Sequence, residues 1–364
     1  MPLKTLTGKH YDARKGRGAG ANPEGRFELT QREAYDDGWG TPDEDALPAL
    51  KTHVTVERAR SIISRNDSPD LPFTQSINPY QGCEHGCVYC YARPSHAYRN
   101  LSPGVDFETR LFAKVNAAEL LRAELARPGY RCEEITIGAN TDPYQPIERA
   151  WKITRSVLEV CAEFKQPVSI VTKNALVERD LDILAPMASE NLVQVFVSCN
   201  NLDHDLARRL EPRCSAPRRR LEAMRRLADA GVPVGVLVAP VIPFLTDHQI
   251  EPVLEAAWEH GARQAGYVLM RLPWEVKELF ADWLERHYPL KAKHVMSRVH
   301  AMRGGRDNDP RFGTRMHGEG QLAVLLQKRF RIASARLGFD ERRSVPLDTT
   351  KFRRPGSDVQ LSLF

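Results

Sequence analysis

The segment Asn78-Pro79-Tyr80-Gln81-Gly82-Cys83-Glu84-His85-Gly86-Cys87-Val88-Tyr89-Cys90-Tyr91-Ala92 spaces three cysteines as C-x3-C-x2-C, directly behind a strand-like run at 74–80. A loop of this length lets Cys83, Cys87 and Cys90 turn three thiolates toward one point. Gly82 and Gly86 permit the tight backbone turns that bring them there. Three soft ligands without a fourth cysteine nearby suit an iron-sulfur cluster with one iron left open. A structural zinc site is the rival reading, but its fourth ligand would have to be His85, inside the first loop, where geometry disfavours closure on the same metal. Three ordinary buried thiols are a third reading, and placement in a loop beside two glycines stands against simple core filling.

Outward from this loop, short β-branched runs alternate with longer amphipathic ones. Strands are expected at 74–80, 134–139, 168–172, 192–198, 233–238 and 266–270, and helices over 116–127, 151–164, 178–188, 218–230, 248–260 and 275–287. Gly231 and Gly261 follow two of these helices, where a helix C-terminus uses a left-handed residue. The strands read as apolar on both faces, which suits a parallel sheet covered by helices. Six β/α units in succession predict an α/β fold, an incomplete (β/α)6 TIM-like barrel with N- and C-terminal extensions. A doubly wound open sheet is the alternative, because periodicity does not fix strand order. Either layout puts the cysteine loop at the carboxyl ends of the strands, where ligands bind.

Around a core at 51–290, residues 1–50 are expected to form an extended polar arm. Within it Lys15-Gly16-Arg17-Gly18-Ala19-Gly20 shows no helical or strand period, and Phe27, Leu29 and Trp39 are available as anchors. A helical and loop extension is expected at 291–340, and a flexible, weakly basic tail at 341–364 carrying Arg342-Arg343 and Arg353-Arg354. The 364 residues are 42% apolar and 8% aromatic, enough for a sizeable core, which excludes wholesale disorder and collagen-like classes. Lys and Arg total 52 against 47 Asp and Glu, a net +5 that permits anionic partners without implying them. No run approaches the ~18 uninterrupted apolar residues of a membrane span, and Met1-Pro2-Leu3-Lys4-Thr5 has no apolar signal core. A cytoplasmic protein with no membrane partner is expected. Three of the seven cysteines crowd into eight residues, which in a reducing compartment points to metal binding more than to disulfides, while Cys132 and Cys161 read as core fillers.

The cysteine loop after the first strand of a six-fold β/α unit resembles the radical S-adenosylmethionine superfamily. The sequence Cys-Val-Tyr-Cys-Tyr, with tyrosines flanking the last cysteine, is similar to the branch that includes spore photoproduct lyase, and the resemblance covers about residues 70–290. It implies a barrel of radical SAM type in which Cys83, Cys87 and Cys90 hold a [4Fe-4S] cluster. The methionyl amino and carboxylate groups of S-adenosylmethionine would chelate the open iron, and an electron from the cluster would cleave the sulfonium to a deoxyadenosyl radical that abstracts hydrogen from substrate. A reductant such as flavodoxin or ferredoxin is an implied partner. The resemblance further implies cofactor contacts from Thr141 and Asp142 in Gly138-Ala139-Asn140-Thr141-Asp142-Pro143-Tyr144, from Lys173 at the end of the third strand, and from Ser198 at the end of the fourth.

Read from the residues themselves, Asp142 equally suits a turn and helix cap. Arg213 offers a planar fork to a carboxylate, and Glu211 suits ribose hydroxyls or the orientation of that arginine. Arg218-Arg219-Arg220 reads as decoration of a helix start, with a polyanionic substrate as the other use, and Ala239-Pro240-Val241-Ile242-Pro243 as an apolar wall beside the adenine. The segments Met302-Arg303-Gly304-Gly305-Arg306-Asp307 and Gly313-Thr314-Arg315-Met316-His317-Gly318 read as loops.

In the lyase-like branch a cysteine just after the second strand, followed by threonine, donates hydrogen. Here Asn140 precedes Thr141, and an amide cannot replace a thiol in that role, so photoproduct repair does not carry over. Cys199, ending the fourth strand, is the alternative thiol, and Tyr89 and Tyr91 either relay hydrogen or pack beside the cluster. The substrate is left open, a nucleic-acid lesion being one candidate. The alternative function is a nucleic-acid-binding protein whose cysteine loop is a structural metal site, favoured by mild basicity but without an RNA-recognition or helix-turn-helix signature.

Overall fold

The computed structural model describes residues 16–27, 50–339 and 346–355. Strands β1 (Gln75–Ile77), β2 (Ile135–Ile137), β3 (Val168–Thr172), β4 (Val193–Ser198), β5 (Val234–Val241) and β6 (Gln264–Leu269) lie side by side in chain order, each parallel to the next. Ile63–Arg65 joins the outer edge of β1 antiparallel. Every crossover therefore moves one place in the same direction, whereas a doubly wound sheet would reverse its order near the middle. The incomplete barrel is the architecture, with all six expected strands in place.

Helices α1 (Ala117–Ala126), α2 (Ile153–Phe164), α3 (Leu181–Ser189), α4 (Pro217–Asp229), α5 (Ile250–Glu259) and α6 (Val276–His287) are the six helices that periodicity places between and after the strands. Leu121 and Leu125 of α1, Val157, Leu158 and Cys161 of α2, and Met224 and Leu227 of α4 share one core with the β-branched residues of the sheet. Spacings of three and four residues put each of these sets on one helix face. Gly231 and Gly261 take the left-handed conformation behind α4 and α5. Cys161 is a core residue as expected.

A second, three-stranded sheet positions the site. Arg110–Lys114 lies between His53–Glu57, parallel to it, and Tyr80–Gln81, antiparallel. The chain entering the cysteine loop is thus hydrogen-bonded to the chain leaving it, which fixes the loop's two ends over β1. Past α6, helices α7 (Pro289–Ala301) and α8 (Gly320–Leu337) follow. Between them Arg315 pairs with Asp70, Nε to Oδ2 at 2.6 Å, joining the segment beyond β6 to the one before β1. The segment expected as a loop at 313–318 instead contains a short helix, Thr314–His317, and it fastens the two edges of the open barrel.

The described parts of both chain ends pack on the body. Within the arm expected at 1–50, residues 17–21 are buried against the cysteine loop. Phe27 is half-exposed and rests on Tyr98, while Leu29 and Trp39 lie outside the described residues. Residues 346–355 pack on the barrel: the Arg353 N–H donates to Phe164 O at 3.0 Å, and the Phe352 ring sits against Tyr130 and Phe164. Arg342 and Arg343 lie outside the described residues. No helix among the described residues is long and apolar enough to cross a membrane.

Candidate functional site

Gly82 and Gly86 both have positive φ, 78° and 70°. A Cβ on Gly82 would lie 2.7 Å from the Leu111 side chain and one on Gly86 2.8 Å from Glu108 Oε2, so the turns need glycine for space as well as for conformation. Backbone bonds pin the loop from several sides: Cys83 N–H to Phe107 O (3.0 Å), Val88 N–H to Leu210 O (3.2 Å) and Arg213 N–H to His85 O (3.2 Å). Thr141 Oγ1 donates to Gly82 O at 2.7 Å, and the Arg93 Nε–H donates to Cys87 O at 2.9 Å. Cys83 and Cys87 are buried and Cys90 nearly so.

Burial pushes the Cys83 thiol well above its ordinary value, with Asp142 and Cys87 adding to it. Cys90 is pushed up to about 11 by burial and then by Cys87. A bound cation reverses that logic, because it deprotonates a coordinating thiol outright. His85 is committed elsewhere, with Nδ1 3.3 Å from Asp142 Oδ2 and Nε2 3.1 Å from Asn174 Nδ2. With both ring nitrogens so engaged, His85 is not free to serve as a fourth ligand of zinc. The donor set, three thiols without an available imidazole, fits an iron-sulfur cluster.

Under the loop lies an arrangement that sequence reasoning missed. Glu108 and Arg93, both fully enclosed, form an ion pair, and the Glu108 carboxylate also accepts from the N–H groups of Gly18 (3.0 Å) and Ala19 (2.9 Å). Arg17 donates to Glu108 O at 2.8 Å and to Leu50 O at 2.7 Å. A side chain on Gly18 would collide with the Gly86 carbonyl. The aperiodic run from Arg17 to Gly20 is a strap laid on the cysteine loop, and its glycines are the signal that could have revealed so close an approach.

On the barrel side, Glu211 is the centre of the expected residues. Tyr89 donates its hydroxyl hydrogen bond to Glu211, Arg220 pairs with it, and Lys173 Nζ stands 3.8 Å away. Burial opposes its charge, yet Arg220, then Lys173 and Tyr89, hold the Glu211 carboxyl below its usual range. Sequence pairing of Glu211 with Arg213 is corrected: Arg213 reaches Glu84, 2.9 Å, and Arg220 is the partner of Glu211. Arg220 is also the exception in its triplet, fully buried and donating to Ser198 O at 3.0 Å, while the more exposed Arg218 and Arg219 pair with Glu222 and Glu178. Burial opposes the charge on Lys173 too, but Glu211 and Cys87 raise its pKa.

Asp142 spends both oxygens inside the protein. Oδ1 accepts from Tyr144 N–H (2.9 Å) and the Thr172 hydroxyl (2.7 Å), Oδ2 from Lys173 N–H (2.7 Å). It ties β2 and β3 to His85 and so to the loop. Ser198 is buried at the end of β4 beside Arg220. Cys199 is fully enclosed, its thiol directed at Asn201 O, 3.4 Å. Tyr91 is half-exposed at the end of β2, its hydroxyl on Ala139 O. Cys214 is the remaining surprise, with Sγ 3.6 Å from Cys87 Sγ.

The sequence profile of the Radical SAM superfamily matches residues 77–257, from β1 through α5. This chain carries a radical SAM domain. Proteins of that superfamily use a [4Fe-4S] cluster and S-adenosylmethionine. An uncharacterized protein of Mycobacterium tuberculosis (strain ATCC 25618 / H37Rv) is 38% identical over 221 residues, 60% of this chain and 65% of that one. The chain thus spans about 65% of the length of its mycobacterial relatives. An uncharacterized protein of Methanocaldococcus jannaschii is 28% identical over 66% of this chain and 85% of its own length. Among solved structures, spore photoproduct lyase complexed with dinucleoside spore photoproduct shares the fold, with a TM-score of 0.56 and 18% identity over 78% of this chain and 79% of that one. A mutant of the same lyase with bound AdoMet and dinucleoside spore photoproduct overlays equally well, at a TM-score of 0.56.

Proposed function

We propose that this chain is a radical S-adenosylmethionine enzyme whose cluster is held by Cys83, Cys87 and Cys90. The observation that carries the reading is the set of three thiols, two buried and one partly so, on a glycine-turned loop behind the first strand of a six-stranded parallel barrel that matches the superfamily. When bound, the cluster supplies one electron that cleaves S-adenosylmethionine to a 5′-deoxyadenosyl radical for hydrogen abstraction. The chain's own residues bind and orient. Lys173 offers a cation to a carboxylate at the end of β3, and Glu211, kept ionised by Arg220, offers an anion to an ammonium or ribose hydroxyl. Thr141 and Asp142 hold the loop rigid against β2 and β3. A one-electron donor of the flavodoxin or ferredoxin kind completes the system in a reducing, cytoplasmic setting.

A nucleic-acid substrate is the finer part of the reading. It is supported by the dinucleoside bound to the solved neighbours and by the rim of the barrel, where Tyr91, Trp274 and Phe312 are exposed. Arg271 lies 5.8 Å over the Tyr91 ring, and its buried Nε has no partner among the described residues. Exposed aromatic faces interleaved with guanidinium groups stack bases and meet phosphates. The test is anaerobic reconstitution with iron and sulfide, then a strong reductant and S-adenosylmethionine. Formation of 5′-deoxyadenosine is expected, raised by oligonucleotide carrying the right lesion. A loaded cluster that yields no 5′-deoxyadenosine overturns the reading.

A further inference from the structure

Cys214 faces the cysteine loop from a segment sewn to it. The Val88 N–H donates to Leu210 O and the Arg213 N–H to His85 O, both at 3.2 Å, and the Arg213 guanidinium pairs with Glu84 at 2.9 Å. The two sulfurs, 127 residues apart in the chain, stand 3.6 Å apart, close to van der Waals contact. Cys87 is enclosed, but Cys214 lines an open hollow of about 300 Å3 together with Pro146, Asn174, Arg213 and Ser215. Cys214 is only partly buried and borders the hollow, which gives a small oxidant an approach to it, and its sulfur stands beside that of Cys87. None of the roles in the proposed reaction uses this cysteine.

We propose that Cys214 is a resolving thiol for the cysteine loop: when the loop carries no cluster, peroxide links Cys87 and Cys214 in a reversible disulfide. The bond that forms is about 2 Å long, so the sulfurs at 3.6 Å have only the remaining gap to close. The atoms balance. Hydrogen peroxide oxidises the Cys214 sulfur to a sulfenic acid, and one water leaves. The Cys87 sulfur then attacks that sulfur, the S–O bond breaks as the S–S bond forms, and the second water carries away the hydroxyl and the proton. Two thiols and one peroxide give one disulfide and two waters, and a dithiol reductant restores both thiols. The benefit is to the loop, since Cys87 parked in a disulfide is withheld from the irreversible sulfinic stage.

The test uses the full chain made cluster-free with a chelator under anoxic conditions, then treated with hydrogen peroxide and digested without reduction. Peptide mapping by mass spectrometry is expected to find Cys87 joined to Cys214, the link vanishing with dithiothreitol. In Cys214→Ser and Cys214→Ala, the same exposure is expected to raise sulfinic acid at Cys87 and to lower the iron regained on reconstitution by about twofold or more. Links confined to Cys83, Cys87 and Cys90, or equal sulfinic acid at Cys87 with and without Cys214, overturn the proposal. The thiol pair does not depend on the proposed enzymatic function. Iron-loaded protein separates the two: equal cross-linking there counts against Cys87 as a cluster ligand while supporting the pair itself.

Discussion

Arg93 and Glu108 form an ion pair with both side chains fully enclosed, directly under the cysteine loop. Arg93 also donates to the carbonyls of Cys87, Pro103 and Gly104, and Glu108 receives the strap at Gly18 and Ala19. The cysteine loop thus rests on a charged pair.

Removing one member of an enclosed pair leaves the other charge uncompensated, which costs about 3–5 kcal/mol. Arg93→Met is expected to lose stability on that scale in urea unfolding. The double variant Arg93→Met, Glu108→Leu is expected to recover part of it, and a cost below about 1 kcal/mol for the single change would show that the pair is not what supports the loop.

Gly18→Val drives a side chain into the Gly86 carbonyl. Overpacking of this kind costs about 1–3 kcal/mol, and the strap is the part free to yield. Limited proteolysis is expected to cut within residues 16–27 faster in the variant, with the barrel left intact.

Lys173→Met removes the cation beside Glu211. Affinity for S-adenosylmethionine is expected to fall about tenfold, close to 1.4 kcal/mol, with iron content unchanged. Equilibrium binding to reconstituted protein measures it, and unaltered affinity would take Lys173 out of the cofactor site.

Cys199→Ala is expected to leave both 5′-deoxyadenosine and product formation near wild type, because the thiol is enclosed and directed at Asn201 O. Tyr91→Phe, at the exposed rim, is expected to change deuterium incorporation from labelled solvent. Mass spectrometry of the product from each variant distinguishes the two residues.

His96 packs on Phe107 and places Nε2 2.9 Å from Arg110 O. Burial lowers its pKa from 6.5 to about 4. The unfolded chain therefore binds the proton first as pH falls. The neutral ring's stabilisation is complete above about pH 6.5 and drains away toward pH 4, by at most about 3 kcal/mol. Unfolding free energies between pH 7 and 4 are expected to fall less steeply in His96→Gln, and an unchanged slope would remove His96 from the account.

The six strands, their helices and the cysteine loop were legible because each is written locally. Alternation, three-to-four spacing and C-x3-C-x2-C are properties of neighbouring residues, and Gly231 and Gly261 mark helix ends by their own conformation. The strap at 17–20 was read as an arm because its composition is polar and aperiodic, and its burial comes from bonds to Glu108 some 90 residues away. Arg220 looked like surface charge within a triplet. Only the rotation of α4 turns that one guanidinium inward to Glu211.

By itself, then, the amino-acid order determined the repeating units, the three thiols and the kind of metal centre they suit, since these depend on spacing over a few residues. Tertiary packing decided which arginine neutralises Glu211, that Asp142 and His85 brace the loop, and that Cys214 meets Cys87. These pairings, from 9 residues apart for Glu211 and Arg220 to 127 for Cys87 and Cys214, follow from strand order and helix rotation, and no local pattern in the chain encodes either.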